Sequence, residues 1–265
     1  MAEFDADIYR RNSQDLHHLS EDALRAHFHS VGVGERRVYG RTDTTVERMS
    51  MRWLRGHGVE IGAGRNPIPL FGNAERQLAD IGASTSFGGE AEWIFNIEDE
   101  NIKLEQKLDF VVAGHVLEHC DSFIRALGNL LSLVNENGVV YVILPDKRYL
   151  HDRHWLPDYD FEHHLAEWRE PLIHAREHDT LFLSGITTDV RINDHAEYPE
   201  DVARALENGV LPADQRFLSH KHNYRFAGWI RLIEQTLETL KSPFVIEDCG
   251  FGRERMDCHF VLLRR

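Results

Sequence analysis

The feature that most constrains this chain is the stretch Gly58-Val59-Glu60-Ile61-Gly62-Ala63-Gly64-Arg65-Asn66-Pro67. An apolar run closes on an acid, and glycines follow at alternate positions. This pattern predicts a buried parallel strand that enters a tight turn, where the missing Cβ lets the backbone approach a ligand closely. Asp80 follows after about 20 residues, the spacing at which a second strand offers a carboxylate to a ribose.

The rest of the chain repeats strand and helix patterns. Near-continuous apolar runs at 108–113 and 139–144 are typical of central strands covered on both faces, and residues 121–134 between them have a helical period. We therefore predict an α/β fold, a Rossmann-like seven-stranded sheet with helices on both faces and an antiparallel last strand. The predicted strands are 58–62, 77–81, 93–97, 108–114, 138–144, 243–249 and 256–263, and a helix at 226–240 precedes the last two.

Four segments follow from these patterns. Residues 1–57 are polar and helical in pattern, and they either pack on the sheet or form a lid with Tyr39, Arg41, Arg48 and Arg52 as ligand contacts. Residues 58–146 form the binding core. Residues 147–225 lose the strand–helix rhythm and are rich in histidine, so we expect a substrate-recognition cap inserted after strand five, with helical pieces at 161–178 and 199–208. Residues 226–265 complete the sheet.

Charge and cysteine content limit the partners and the compartment. The 265 residues carry a net charge of −14, which disfavours nucleic acid and anionic membranes as partners. Three scattered cysteines predict neither a disulfide framework nor a cysteine-based zinc site. No apolar run approaches the ~20 residues that span a bilayer, and the acidic N-terminus has no signal-peptide pattern. We expect a cytoplasmic protein.

Several motifs together resemble the class I S-adenosylmethionine-dependent methyltransferases. They are Glu60-x-Gly62-x-Gly64, Asp80, the run Leu108-Asp-Phe-Val-Val-Ala-Gly-His-Val-Leu-Glu-His119, and the Asn137-Gly-Val-Val-Tyr-Val turn into the fifth strand. More narrowly, residues 60–70 and Leu144-Pro-Asp-Lys-Arg-Tyr149 look like methyltransferases found with glycan and secondary-metabolite assembly genes. The resemblance implies that the cofactor is S-adenosylmethionine.

The resemblance also implies a role for each matching position. Gly62 and Gly64 pass beneath the methionine part of the cofactor, and Glu60 lies near its amino group. Asp80, with Ile81 beside it, meets the ribose hydroxyls. Asn96, with Ile97 beside it, meets the adenine amine in place of the family's acid. Gly114 and His115 lie beside the sulfonium. The chain departs from the family at Asn66, which replaces a third glycine, and at Pro67 and Pro69, which shorten or displace the following helix.

Methyl transfer to a hydroxyl needs a positioned nucleophile and a group that takes its proton. Such a base is expected at the carboxyl ends of strands four and five. We rank His115 first, then His151, and include Asp146. His119 either braces its turn or contacts the substrate, and Lys147, Arg148 and Tyr149 either recognise an anionic or hydroxylated substrate or form a solvated turn.

Histidine-rich spacing raises the question of a metal. His174 and His178 share a helical face, and His220 and His222 form a second pair. No carboxylate triad accompanies them, so we expect no metal ion and assign these residues to substrate hydrogen bonding or helix surface. The predicted function is methylation of a small molecule or glycan-type metabolite, at oxygen. The alternatives are N-methylation of a small amine or amino-acid-derived metabolite, and a protein that binds S-adenosylmethionine or a nucleoside without turnover. An NAD-dependent enzyme is disfavoured because the full glycine spacing is missing.

Overall fold

Seven strands form one sheet in the order β3-β2-β1-β4-β5-β7-β6. The computed structural model describes residues 4–32, 35–64, 66–82, 90–100, 102, 104, 106–188 and 219–265. The strands are β1 (His57–Ile61), β2 (Glu75–Asp80), β3 (Trp93–Ile94), β4 (Leu108–Gly114), β5 (Val134–Pro145), β6 (Phe244–Gly252) and β7 (Asp257–Arg264).

The strand directions agree with the prediction. Strands β1 to β5 pair in parallel, and β7 enters antiparallel between β5 and β6. Parallel strands require crossover connections, which place the carboxyl ends of β1, β2 and β4 at one edge of the sheet. The predicted Rossmann-like α/β fold is therefore confirmed. Most of the predicted cofactor residues end or follow β1, β2 and β4, so they lie along this edge.

Helices cover both faces of the sheet. The helices are α1 (Ala6–Arg11), α2 (Glu21–His27), α3 (Thr45–Trp53), α4 (Phe123–Leu133), α5 (Phe161–Arg169), α6 (Ala175–Thr188) and α7 (Phe226–Thr239). One face packs against α4 and α7, whose Leu127, Leu130 and Trp229 are buried among side chains of β4, β5 and β7. No described helix has both the length and the hydrophobicity needed to cross a membrane.

Helix α3 of the N-terminal segment packs on the sheet. Helix α3 begins at a capping box, in which Thr44 accepts from the Glu47 amide and Glu47 from the Thr44 amide. Its Met49 and Trp53 are buried against the second sheet face. The Trp53 indole also donates to the Asp248 carboxylate on β6 at 2.9 Å. Of the two readings of residues 1–57, these contacts favour packing on the sheet.

The connection from β1 to β2 is irregular. Among the described residues of 62–74 no helix forms, whereas Pro67 and Pro69 predicted one that is shortened or displaced. Instead the Ile68 amide donates to the buried Glu60 carboxylate at 2.9 Å, which fixes the returning chain. This leaves the glycine turn open toward the edge of the sheet.

The segment after β5 contains two helices where one helical piece at 161–178 was predicted. Helix α5 ends at Arg169, just before Pro171, because a proline disfavours helical geometry in the preceding residue. Helix α6 then continues to Thr188, beyond the predicted end. The helix predicted at 199–208 lies outside the described residues. The four-segment division and the role of 147–225 as a cap stay predictions.

The packing of α3 on the sheet predicts that truncating one of its buried side chains destabilises the whole protein. Met49 is fully buried in the core, so Met49→Ala should lower the free energy of unfolding by about 2–5 kcal/mol. Urea denaturation measures the change, and Met256→Ala is the matched control because Met256 is exposed. A Met49→Ala protein with parental stability would show that residues 1–57 are attached only loosely.

Candidate functional site

A cavity of about 510 Å³ lies at the carboxyl edge of the sheet. This size falls in the range of roughly 300–1,000 Å³ that small ligands occupy. Its walls come from α3, the glycine turn, the ends of β4 and β5, and β7: Val46, Glu60, Gly62, Ala63, Gly64, Asn66, Ile68, Gly114, His115, His119, Ile143, Glu254, Arg255, Asp257 and His259. A larger cavity of about 930 Å³ lies near His57 and Leu108, at the other ends of their strands, and contains none of the predicted site residues.

The glycine turn forms one wall of the cavity. Gly62 has φ of 70° and Gly64 has φ of 55°, a region that favours glycine. A Cβ on Gly62 would lie 2.4 Å from Val116 Cγ2, so no side chain fits there. The turn is held by the Gly62 amide, which donates to the Ala79 carbonyl at 2.9 Å. The backbone of this turn is therefore presented to the cavity.

Glu60 lines the cavity but is also held by the protein. Its carboxylate accepts from the Ile68 amide and lies 3.1 Å from Arg76 Nε. Burial raises the pKa of Glu60 to about 7, although Arg76 and the Ile68 amide act in the opposite direction. Its first role is to brace the turn, and its predicted contact with a cofactor amino group stays a prediction.

His115 is held between two carboxylates. Its Nδ1 lies 3.2 Å from Glu118 Oε1, and its Nε2 lies 3.4 Å from Asp257 Oδ2. Burial acts to lower the pKa of His115, but the two carboxylates outweigh it and raise the pKa to about 10. At neutral pH the ring is then an imidazolium with no lone pair. This arrangement argues against our first-ranked base.

His119 is in the opposite state. Its Nδ1 donates to the Ser219 carbonyl at 3.1 Å, which leaves Nε2 as an acceptor. Burial lowers the pKa of His119 to about 4, with the Glu118 carboxylate acting against the shift. His119 Nε2 lies 4.0 Å from Glu118 Oε1, and the ring is 4.8 Å from that of His220. A neutral imidazole therefore stands at the cavity beside a buried carboxylate.

The other predicted cofactor residues lie on the neighbouring strands. Asp80 ends β2, and its Oδ1 accepts from the Ile81 amide at 2.7 Å; burial raises the pKa of Asp80. The Phe95 amide donates to the Asp80 carbonyl, so Asn96 follows at the same edge. Ile97 is buried and Ile81 is exposed. None of these four predicted residues lines the cavity, and their contacts with a cofactor stay predictions.

The predicted residues after β5 are mostly occupied elsewhere. Asp146 is buried, and both its oxygens bind Arg148, at 2.8 and 2.9 Å. Burial raises the pKa of Asp146, but Arg148 and the amides of Arg148 and Phe226 outweigh it and lower the pKa. These partners make it a brace between β5 and α7, which argues against its predicted role as a base.

Three predicted substrate contacts also lie outside the cavity. Lys147 Nζ donates to the Leu156 carbonyl and to Asp158. Arg148 forms an ion pair with Asp146. Tyr149 is exposed to solvent and its ring contacts Phe251. His151, our second candidate base, packs edge-on against Trp155 and is likewise absent from the cavity wall. Only His119 of the predicted substrate contacts is at the cavity.

Sequence reasoning missed the carboxylates that set the charge of the site. Glu118 lies within the Leu-Glu-His run but was not assigned a role, and Asp257 begins a strand that reaches this edge from the other direction. His220 donates from Nδ1 to Asp152 at 2.6 Å, a contact across the segment after β5. Such contacts between distant positions have no local signal in one sequence.

The comparisons with known proteins point to one family. A family model described as "Methyltransferase domain" matches residues 40–182. No match was found among curated protein sequences.

The solved structures that match this chain have low sequence identity and low TM-scores. A Rhodobacter sphaeroides protein whose description names Zn-dependent alcohol dehydrogenases is 14% identical with a TM-score of 0.46, covering 84% of this chain and 90% of that one. Magnesium protoporphyrin IX methyltransferase from Synechocystis PCC 6803, with bound S-adenosylmethionine, is 12% identical with a TM-score of 0.38, covering 92% and 96%. An O-methyltransferase from neocarzinostatin biosynthesis is 12% identical with a TM-score of 0.37, covering 79% of this chain and 49% of that one. The family assignment rests on the family model.

The paired carboxylates around His115 predict a pH-dependent stability. The folded pKa of about 10 exceeds the ordinary value of 6.5, so the stabilisation is complete below pH 6.5 and is lost as the pH rises through about 10. The stability difference between the parent and His115→Gln should therefore shrink from pH 6 to pH 10. Urea unfolding across this range measures it, with exposed His154→Gln as control. A difference that does not change with pH would contradict the charged state of His115.

Proposed function

We propose that this chain, which belongs to the methyltransferase-domain family and is an S-adenosylmethionine-dependent methyltransferase, methylates an oxygen atom of a small-molecule acceptor. The observation that carries the proposal is the neutral, singly donating His119 at the cavity wall. A hydroxyl acceptor has a proton to lose, and His119 Nε2 carries a lone pair that can take it, because Nδ1 holds the ring proton. The cofactor follows from the family, and the acceptor class is the proposed part.

The residues at the cavity fit the cofactor. S-adenosylmethionine, when bound, supplies an electrophilic methyl group on a sulfonium. Gly62 and Gly64 offer a backbone wall that no side chain blocks, and the 2.4 Å approach of Val116 shows why Gly62 must lack a Cβ. Gly114 has room beside it, since a Cβ there would meet only Ile143 Cδ1 at 3.8 Å. Asp80 at the end of β2 supplies the acceptor for ribose hydroxyls in this proposal.

The charges around the cavity suit a cationic cofactor and a small acceptor. Glu118 and Asp257 neutralise His115, so the imidazolium adds little net positive charge near a sulfonium. Both ring nitrogens of His115 face these carboxylates, which fixes the ring at the sheet edge. The net charge of −14 works against a polyanionic acceptor such as nucleic acid, and against an anionic membrane.

We propose that His119, and not His115, accepts the proton that the acceptor hydroxyl loses. Its Nδ1 is fixed by the Ser219 carbonyl, so the orientation and tautomer of the ring are set. Its lowered pKa of about 4 keeps the lone pair available throughout the physiological range. The adjacent Glu118 carboxylate stabilises the imidazolium that forms when the proton arrives.

The cofactor assignment predicts the effect of removing Asp80. Asp80→Ala should leave two ribose hydroxyls without a charged acceptor, a loss on the order of 1.5–3 kcal/mol. Calorimetry with S-adenosylhomocysteine should show roughly tenfold or greater weakening. Asp43→Ala, at an exposed aspartate, is the matched control. Parental affinity in a folded Asp80→Ala protein would remove Asp80 from the cofactor site.

The proton assignment predicts the effect of removing His119. His119→Ala should lower turnover of a hydroxyl acceptor by about 10²–10⁴-fold, while affinity for S-adenosylhomocysteine stays within a few-fold. Because the pKa of His119 lies near 4, the rising limb of the parent's pH–rate profile should lie below pH 5. The rate should not change around pH 6.5. Transfer of labelled methyl groups to a panel of phenols, sugar alcohols and amines supplies the acceptor, and His154→Ala is the control.

Two results would overturn the oxygen assignment. Transfer to amines alone, with full turnover in His119→Ala, would mean that the acceptor is nucleophilic without a base. A rising limb near pH 6.5 that disappears in His151→Ala would show that His151, and not His119, accepts the proton.

A further inference from the structure

Four side chains of types that can bind a metal ion converge in the part of the chain that follows β5. His163 and Glu167 lie four residues apart on α5, His178 lies on α6, and His222 lies in the segment before α7. His163 is 9% exposed, and the other three side chains are at most 1% exposed. His164 Nδ1 also lies 3.4 Å from Glu167 Oε2, so four imidazoles surround one buried carboxylate. This is an unusual group to bury, because polar atoms that lose water need partners.

The distances match those of a shared ion. His163 Nε2 lies 3.2 Å from His178 Nε2 and 3.0 Å from Glu167 Oε1. Glu167 Oε1 lies 3.6 Å from His178 Nε2, and Glu167 Oε2 lies 3.1 Å from His222 Nε2. Four ligands at 2.0–2.2 Å from a tetrahedral zinc ion lie roughly 3.3–3.6 Å from one another. All four ligand atoms fall within 4.8 Å of one another.

Hydrogen bonds within the protein do not account for this cluster. Among the described residues, neither Glu167 oxygen has a partner in hydrogen-bond geometry, and neither does either ring nitrogen of His222. An unsatisfied buried polar group costs about 1–3 kcal/mol. One cation at the centre would satisfy both the carboxylate and the His222 Nε2 lone pair.

We propose that His163, Glu167, His178 and His222 bind one zinc ion. Imidazole and carboxylate donors in a buried, four-coordinate arrangement suit zinc. The surroundings hold the ligands in place: the His163 ring is stacked between Tyr159 at 3.8 Å and His174 at 4.1 Å. With four protein ligands the site leaves no position for substrate, so the ion has a structural role.

The proposed ion explains how the cap segment reaches the active site. The amides of Lys221 and His222 both donate to the Glu118 carbonyl, so the chain beside the ion is fixed to the turn after β4. The same segment carries His220 and the Ser219 carbonyl that orients His119. Zinc would thus join α5, α6 and residues 219–222 into one support for the site.

This proposal replaces the expectation from sequence that no metal is bound. The sequence pairs His174 with His178 and His220 with His222, but in the structure only His178 and His222 belong to the cluster around Glu167. His174 Nδ1 faces Glu177, and His220 faces Asp152. The pattern that does match is His163-x-x-x-Glu167, which places two ligands on one helical face.

Metal analysis of the full chain tests the proposal. The parent, expressed with added zinc and freed of loose metal by gel filtration, should retain about one zinc per chain by mass spectrometry. The double variant His178→Ala/His222→Ala should lose it, whereas His174→Ala should keep it, because His174 touches His163 without being a ligand. Cobalt added to metal-free parent should give the strong visible absorption of tetrahedral coordination.

The outcomes separate the proposal from its rivals. If the double variant fails to fold, Glu167→Gln serves instead, and it should weaken zinc affinity at least tenfold in a chelator competition. Metal-free parent that binds no added zinc in calorimetry would overturn the proposal and leave a buried histidine network. Zinc that is lost on His119→Ala/His220→Ala but kept in the first double variant would also overturn it, by moving the ion to Glu118, His119 and His220.

Discussion

Glu118 connects the sheet to the rest of the site. It is fully buried in the turn after β4, where its carboxylate faces His115 on one side and His119 on the other. Its backbone carbonyl accepts two amides from residues 221 and 222. A carboxylate without water must be compensated by nearby positive charge, and His115, held also by Asp257, supplies it. The charges of Glu118 and Asp257 favour the protonated form of His115, whereas burial keeps His119 neutral against the effect of the same Glu118 carboxylate.

The fold could be predicted from the sequence because its central strands have strong local signals. The apolar runs of β4 and β5 and the glycine turn after β1 each define their element without help from distant residues. The break between α5 and α6 was missed, although Pro171 marks it, because the apolar and polar pattern continues across it. Pro67 and Pro69 predict a shortened or displaced helix after β1, and among the described residues of 62–74 none forms, because proline rings oppose regular helix formation.

The candidate site was predictable in position and less so in chemistry. Gly62, Gly64, Gly114 and His115 meet at one cavity because carboxyl ends of parallel strands share an edge. The state of His115 could not be predicted, because Asp257 reaches it from β7 and a histidine's charge depends on its neighbours. The cluster around Glu167 was hidden for the same reason: its ligands come from three separate segments of the chain.

A crystal structure with S-adenosylhomocysteine bound would locate the cofactor site and show what His119 faces. We expect the ligand to lie in the cavity beside the glycine turn, with its ribose at Asp80 and its sulfur next to Gly114 and His115. His119 Nε2 should then face the space in front of the sulfur, where an acceptor oxygen would lie. Density for the ligand in the cavity near Trp93 and Leu108, or at the sheet edge with Gly62 and Asp80 making no contact, would contradict this expectation.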